Sequence, residues 1–300
     1  MAELYDRLAR DFPQEWGQSS SLAQYADKFR SDFETTFMEE VLRHRLWFDD
    51  PPTLNLLEVL RPVAKHCARY RLEPGGDNLY SQLLRDLQDT SAIERTTFGS
   101  LNYDTLLEQA AIQMAYGVDW LVDEATDMLQ PNGAALSPRP NAIRVAKLHG
   151  SSNFVTRLDG ASRAIAASPG VMIETAITTL SPGELAVPGV ALRTFGQDGY
   201  WPVISQLSPD KKQLLAPSQL LQIRSIWSRA VRAAASVIII GVSPRQYDRH
   251  VWGPIQATRA SMSYIGGERD FATWSSLNPE QWRHIAHKWE TAGQVSGRLR

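Results

Sequence analysis

The chain has 300 residues with 31 basic and 33 acidic side chains, and a net charge of −2 gives it no overall attraction for nucleic acid. Its single cysteine, Cys67, excludes an intramolecular disulfide framework and any multi-cysteine zinc site, and it fits a reducing cytoplasm. No apolar run reaches the roughly 18–20 residues of a membrane span. The amphipathic start MAELYDRLARDFP lacks the apolar centre of a secretion signal.

In chain order, residues 1–12 read as a helix carrying Leu4, Tyr5, Leu8 and Phe12 on one face, ended by Pro13. Residues 20–47 read as one or two helices. Phe29, Phe33, Phe37 and Val41 recur every four positions there as an apolar stripe, read as core. Residues 53–72 form a further helical region with a break or kink expected near Pro62. The turn residues of EPGGDN (73–78) mark a loop, and 79–90 a short helix. The texture then becomes β-rich in RTTFGSLN (95–102). A helix over 104–116 follows, opened by a Thr105-x-x-Glu108 capping-box pattern. AIRVAKLH (142–149) is a strand, and 155–215 reads as an irregular, Gly/Pro/Ser-rich insertion with short strands. PSQLLQIRSIWSRAVRAA (217–234) is a strong helix. SVIIIGVS (236–243) reads as a buried central parallel strand, ASMSYIGG (260–267) as a shorter strand, and 278–293 as a closing helix.

Strands alternating with helices define an α/β protein with a parallel sheet flanked by helices. Residues 1–90 form a helical module integral to the domain, and 91–300 the α/β core. Ligands of such sheets bind beyond the carboxyl ends of the strands, where Asn102, His149 and Ser243 all fall. Taken singly, Asn102 and Asp104 read as caps of the next helix and His149 as a turn histidine. Together they suit cleavage of an N-glycosidic bond to a cationic leaving group. A histidine supplies the base, an asparagine holds water or ribose, and a carboxylate orients the sugar or stabilises developing positive charge. His284 and His287 stand three apart on the expected closing helix, where a surface-helix reading outweighs a metal pair.

The strand–LNYDTLLE–helix unit (101–108), the strand–KLHGS unit (147–151) and the Gly-x-Ser strand end followed by SPRQYDRHVW (243–252) together resemble the sirtuin-like superfamily. More closely, they resemble its bacterial NAD-hydrolase domains of anti-phage defence, over roughly residues 95–270. The resemblance implies a Rossmann-like core and assigns catalysis to Asn102 and His149, with Asp104 orienting the sugar. It assigns cofactor contacts to Ser100, Asn102, Asp104, Gly241, Ser243 and Asp248. The implied reaction is hydrolysis of NAD, used as substrate without a metal, to nicotinamide and ADP-ribose. The implied setting is a cytoplasmic NAD-depleting effector, with a homo-oligomer or a defence-system protein as partner.

The chain departs from the family pattern twice. The region 155–215 lacks the four-cysteine zinc module of the deacylase branch, which ranks an NAD-dependent deacylase last. The family's opening apolar strand and Gly-Ala-Gly-type loop have no counterpart; a start assigned too late, a truncation or a lost loop are the open explanations. Without that loop, the alternative reading is a non-catalytic NAD- or ADP-ribose-binding module, or a scaffold.

Overall fold

A computed structural model of the chain describes residues 2–43, 56–121, 141–159, 172–187, 189–205, 213–244, 248–276 and 279–286. Helices α1 (Ala2–Asp11), α2 (Ala26–Ser31), α3 (Phe33–Thr36), α4 (Leu56–Ala68) and α5 (Leu79–Asp89) precede β1 (Thr97–Ser100) and α6 (Leu106–Gln113). Next come β2 (Gly117–Asp119), β3 (Ala142–Lys147), β4 (Gly150–Arg157), β5 (Thr178–Thr179), the short α7 (Val190–Leu192) and β6 (Tyr200–Ile204). The chain then alternates through α8 (Pro217–Ala233), β7 (Ser236–Ile240), α9 (Arg249–Ala257), β8 (Ser261–Ile265), α10 (Glu268–Ser275) and β9 (Trp282–Ala286).

The aromatic stripe is core, as its spacing implies. Phe29, Phe33 and Phe37 are buried and gather round Trp16, with ring centroids 5.6, 5.5 and 6.3 Å away. Tyr5 of α1 stacks on Phe29 at 5.3 Å. The Trp16 indole N–H donates to the Val59 carbonyl at 3.0 Å and so ties α4 to this cluster. Asp32 divides the stripe's helix in two, because its extended backbone and its carboxylate, accepting from Thr35 N at 3.1 Å, start α3 afresh. Val41 has no described side chain. In α4 the helix runs through Pro62 instead of breaking there.

Two parallel sheets carry the α/β alternation. The first has the order β1-β3-β2, and the second the order β7-β8-β9. Between them in sequence lies a third, antiparallel sheet of order β5-β4-β6. Short strands do occur in the described part of the 155–215 region, as β5 and β6. The buried strand β4 opens at Gly150, directly after the His149 turn. Helix α8 packs on β1 and β3 of the first sheet and on α9 of the other half. Gly99 is what permits that approach: a Cβ there would stand 2.7 Å from the Trp227 ring.

Two expectations are corrected in the last third. Among the described residues β7 lies at the edge of its sheet and not at its centre, and its residues alternate between buried (Val237, Ile239) and exposed (Ser236, Ile240). A run of isoleucines reports β propensity, while the neighbours set centrality. In the described part of the expected closing helix, residues 279–286, the chain instead forms β9 over 282–286, paired in parallel with β8 from Met262↔Trp282 onward; 287–293 lie outside the described residues. Trp282 stacks on Trp274 of α10 at 5.6 Å, so sheet pairing and aromatic packing override a helix-compatible pattern. His284 accordingly lies on a strand. Its Nε2 sits 2.8 Å from the Gly266 carbonyl and its ring stacks on Phe271, which removes the basis for a helical His284/His287 pair. His287 lies outside the described residues.

Candidate functional site

The carboxyl ends of β1 and β3 are built as one unit. Leu148 N donates to the Ser100 carbonyl at 3.0 Å, extending the parallel ladder just past both strands. Lys147, the last residue of β3, is wholly buried. Its ammonium donates to the Asp104 carbonyl at 2.5 Å, lies 3.5 Å from Ser100 Oγ, and pairs with Glu108 Oε1 at 3.3 Å. One buried cation thus holds the strand end, the loop that follows it and the first turn of α6. Burial pushes the Glu108 carboxyl above its ordinary range, and the Lys147 charge opposes that shift.

The capping box does not form. Asp104, not Thr105, serves the helix start by accepting from Leu106 N at 3.1 Å. The Thr105 hydroxyl instead accepts from Gln109 Nε2 and from Gly183 N, and Glu108 is turned inward to Lys147. Asn102 is exposed. Its backbone N–H donates to Ser100 Oγ at 3.2 Å, and its side chain lies near enough to the Tyr80 hydroxyl to oppose slightly the upward shift of that phenol. Burial, with Asp104 and Glu108 nearby, raises the Tyr80 phenol to about 12, so Tyr80 stays neutral.

His149 is 5% exposed and stands at the turn from β3 into β4. Gly150 makes that turn: its φ is +82°, and a Cβ would fall 2.2 Å from the Val203 carbonyl oxygen. The His149 carbonyl accepts from Ser205 N at 2.8 Å. Its ring faces the start of α9, with Nε2 3.0 Å from His250 Nε2 and 3.5 Å from Asp248 Oδ1. Asp248 is the N-cap residue of α9, yet its side chain makes no capping bond. Its carbonyl takes the helix's first N–H groups, and its carboxylate is directed at His149. Tyr103 adds a ring 6.5 Å from that of His149 and donates to the Ser205 carbonyl at 3.3 Å. Arg224 of α8 completes the cluster. Its Nε donates to the Leu148 carbonyl at 2.8 Å and its Nη2 to Ser205 Oγ at 3.1 Å. Desolvation lowers the guanidinium, while Tyr103 and Asp248 favour its charged form.

The structure therefore joins His149 to Asp248, and it leaves Asn102 and Asp104 engaged locally at the neighbouring strand end. Gly241 and Ser243 sit past the end of β7 and are exposed. Gly241 has φ +65°, and the Ser243 hydroxyl donates to Asp270 of α10 at 2.7 Å. Sequence reading missed His250, Lys147, Arg224 and Tyr103. For His250, the Asp-x-His spacing at a helix start was the available signal. A concavity of about 600 Å³ on the helical module, lined by Tyr5, Pro13, Gly17 and Arg30 among others, shares no residue with this cluster.

Fold and site define a mixed α/β protein with parallel sheets flanked by helices and a His–Asp–His cluster at their carboxyl ends. Comparison with protein-family models, curated proteins and solved structures finds no match to the chain. Among the described residues, no helix is long and apolar enough to cross a membrane.

Proposed function

We propose that this chain hydrolyses NAD to nicotinamide and ADP-ribose, with His149 as the base, in a Rossmann-like arrangement of its parallel sheets. The observation that carries the reading is the 3.5 Å approach of Asp248 Oδ1 to a buried histidine at a strand end. Water adds to the anomeric carbon of the nicotinamide ribose as the C–N bond breaks. The bonding pair leaves with nicotinamide, which departs neutral and needs no general acid. The water proton passes to the His149–His250 pair, and the Asp248 carboxylate stabilises the imidazolium formed there. Asn102, exposed at the adjoining strand end, holds the water or the ribose hydroxyls. Asp104 fixes the loop that presents Asn102, and Gly241 and Ser243 line the cofactor's path.

Through its sirtuin-like motifs, the proposal extends to NAD depletion in anti-phage defence and to an oligomer or partner that triggers it. Chromatographic assay of nicotinamide released from NAD tests the chemistry. Removal of the base in His149→Ala is expected to slow release by about 10²–10⁴-fold. Saturable binding of NAD or ADP-ribose without turnover would establish the sensing module in place of the enzyme.

A further inference from the structure

We propose that His149 Nε2, Asp248 Oδ1 and His250 Nε2 form a binding site for one divalent transition-metal ion. One donor atom from each of the three residues lies within 4.8 Å of the other two, and the three side chains converge from two elements, the β3–β4 turn and the first turn of α9. The two separations made by His149 Nε2 are close to what a small cation imposes. With bonds of roughly 2.0–2.1 Å, donors at octahedral or tetrahedral angles stand about 2.9–3.4 Å apart. Here the two measured separations are 3.0 and 3.5 Å.

Orientation points the same way. The two imidazoles meet Nε2 to Nε2, so two lone pairs can be aimed at one point. The Asp248 carboxylate makes no bond to its own helix start and is directed at that point as well. His149 and Asp248 are buried while His250 is half-buried, which leaves an entry on the His250 side. Two imidazoles and one carboxylate suit zinc and its divalent first-row neighbours better than magnesium or calcium, which favour oxygen ligands. Three protein ligands leave at least one coordination position open.

The binding claim stands on geometry alone; its consequence for catalysis rests on the NAD-hydrolase reading. An ion held on His149 Nε2 occupies the lone pair that the reaction uses to accept a proton. Zinc therefore inhibits nicotinamide release, and the inhibition midpoint coincides with the dissociation constant for zinc.

The test is calorimetric titration of zinc into the chelator-treated full chain, with cobalt added in parallel and its visible absorption recorded. Expected are one zinc per chain and a cobalt spectrum typical of low coordination number. His250→Gln and Asp248→Asn, each checked for native circular dichroism, should weaken zinc binding by more than the roughly 10–100-fold that loss of an outer-shell partner costs. His284→Gln, away from the cluster, should bind as wild type does. Absence of saturable binding by the folded wild-type chain overturns the proposal, as does binding that survives both cluster substitutions. These readouts contain no NAD, so the metal site and the proposed reaction fail separately.

Discussion

His149 and His250 meet Nε2 to Nε2 at 3.0 Å, although one stands in the turn after a strand of the first parallel sheet and the other in the first turn of the helix that follows β7. The contact ties the first α/β unit to the last, and Asp248 lies 3.5 Å from the same His149 atom. Histidine, carboxylate and histidine therefore behave as one unit. A change in any of them is a change in the charge and hydrogen bonding of all three.

Gly150 is the backbone requirement of that unit. Gly150→Ala forces a side chain into φ +82° and against the Val203 carbonyl oxygen. The backbone term is about 1–2 kcal/mol and the collision adds about 1–3 kcal/mol. Chemical denaturation of the variant should show a loss of that size, and nicotinamide release should fall with it because His149 is displaced.

Lys147 and Glu108 are both 1% exposed at the side chain and form a buried pair. Lys147→Met leaves Glu108 without its cation and should cost about 3–5 kcal/mol. In the double variant Lys147→Met/Glu108→Leu no charge is stranded, so much of that loss should be recovered in urea-melt midpoints. A double variant as unstable as the single one would show that the lysine's bond to the Asp104 carbonyl matters more than its charge.

His66 predicts a pH dependence outside the site. Burial lowers its native pKa, with Arg69, Arg7 and Arg10 acting in the same direction and Asp11 opposing, while Tyr70 contacts its ring. In the unfolded chain a histidine titrates near 6.5, so the native state binds fewer protons in the window below that value. Stability should therefore fall as pH drops from about 7.5 to about 5.5, and His66→Gln should flatten part of that slope relative to wild type. Denaturant midpoints at the two pH values measure it, and equal slopes would refute the assignment.

Cys67 is the sole thiol, and burial raises it to about 12. Thiolate is the reactive form, so a disulfide reagent should label the native chain far more slowly than the denatured chain at neutral pH. Rapid native labelling would contradict the packing around α4.

Much of this was legible in the sequence, for reasons that differ by element. Helices α1, α5 and α8 and strands β1, β3 and β8 follow from local periodicity and turn residues. So does the placement of Asn102, His149 and Ser243 just beyond strand ends. The closing strand β9 was not legible: WRHIA suits helix or strand equally, and pairing with β8 decides. The capping box failed because Glu108 is needed by Lys147, a contact 39 residues away that no local pattern reveals. His250 differs: its Asp-x-His spacing is a local signal, but that spacing does not name a partner 101 residues earlier.

The most direct test of the central claim is a double-mutant cycle on NAD hydrolysis, comparing wild type, His149→Ala, Asp248→Asn and the double variant by nicotinamide release. The account predicts measurable release by wild type, a large loss in each single variant, and a double variant little worse than His149→Ala, because the two groups act as a unit. Losses that simply multiply in the double variant, or full rates in both single variants, would contradict it.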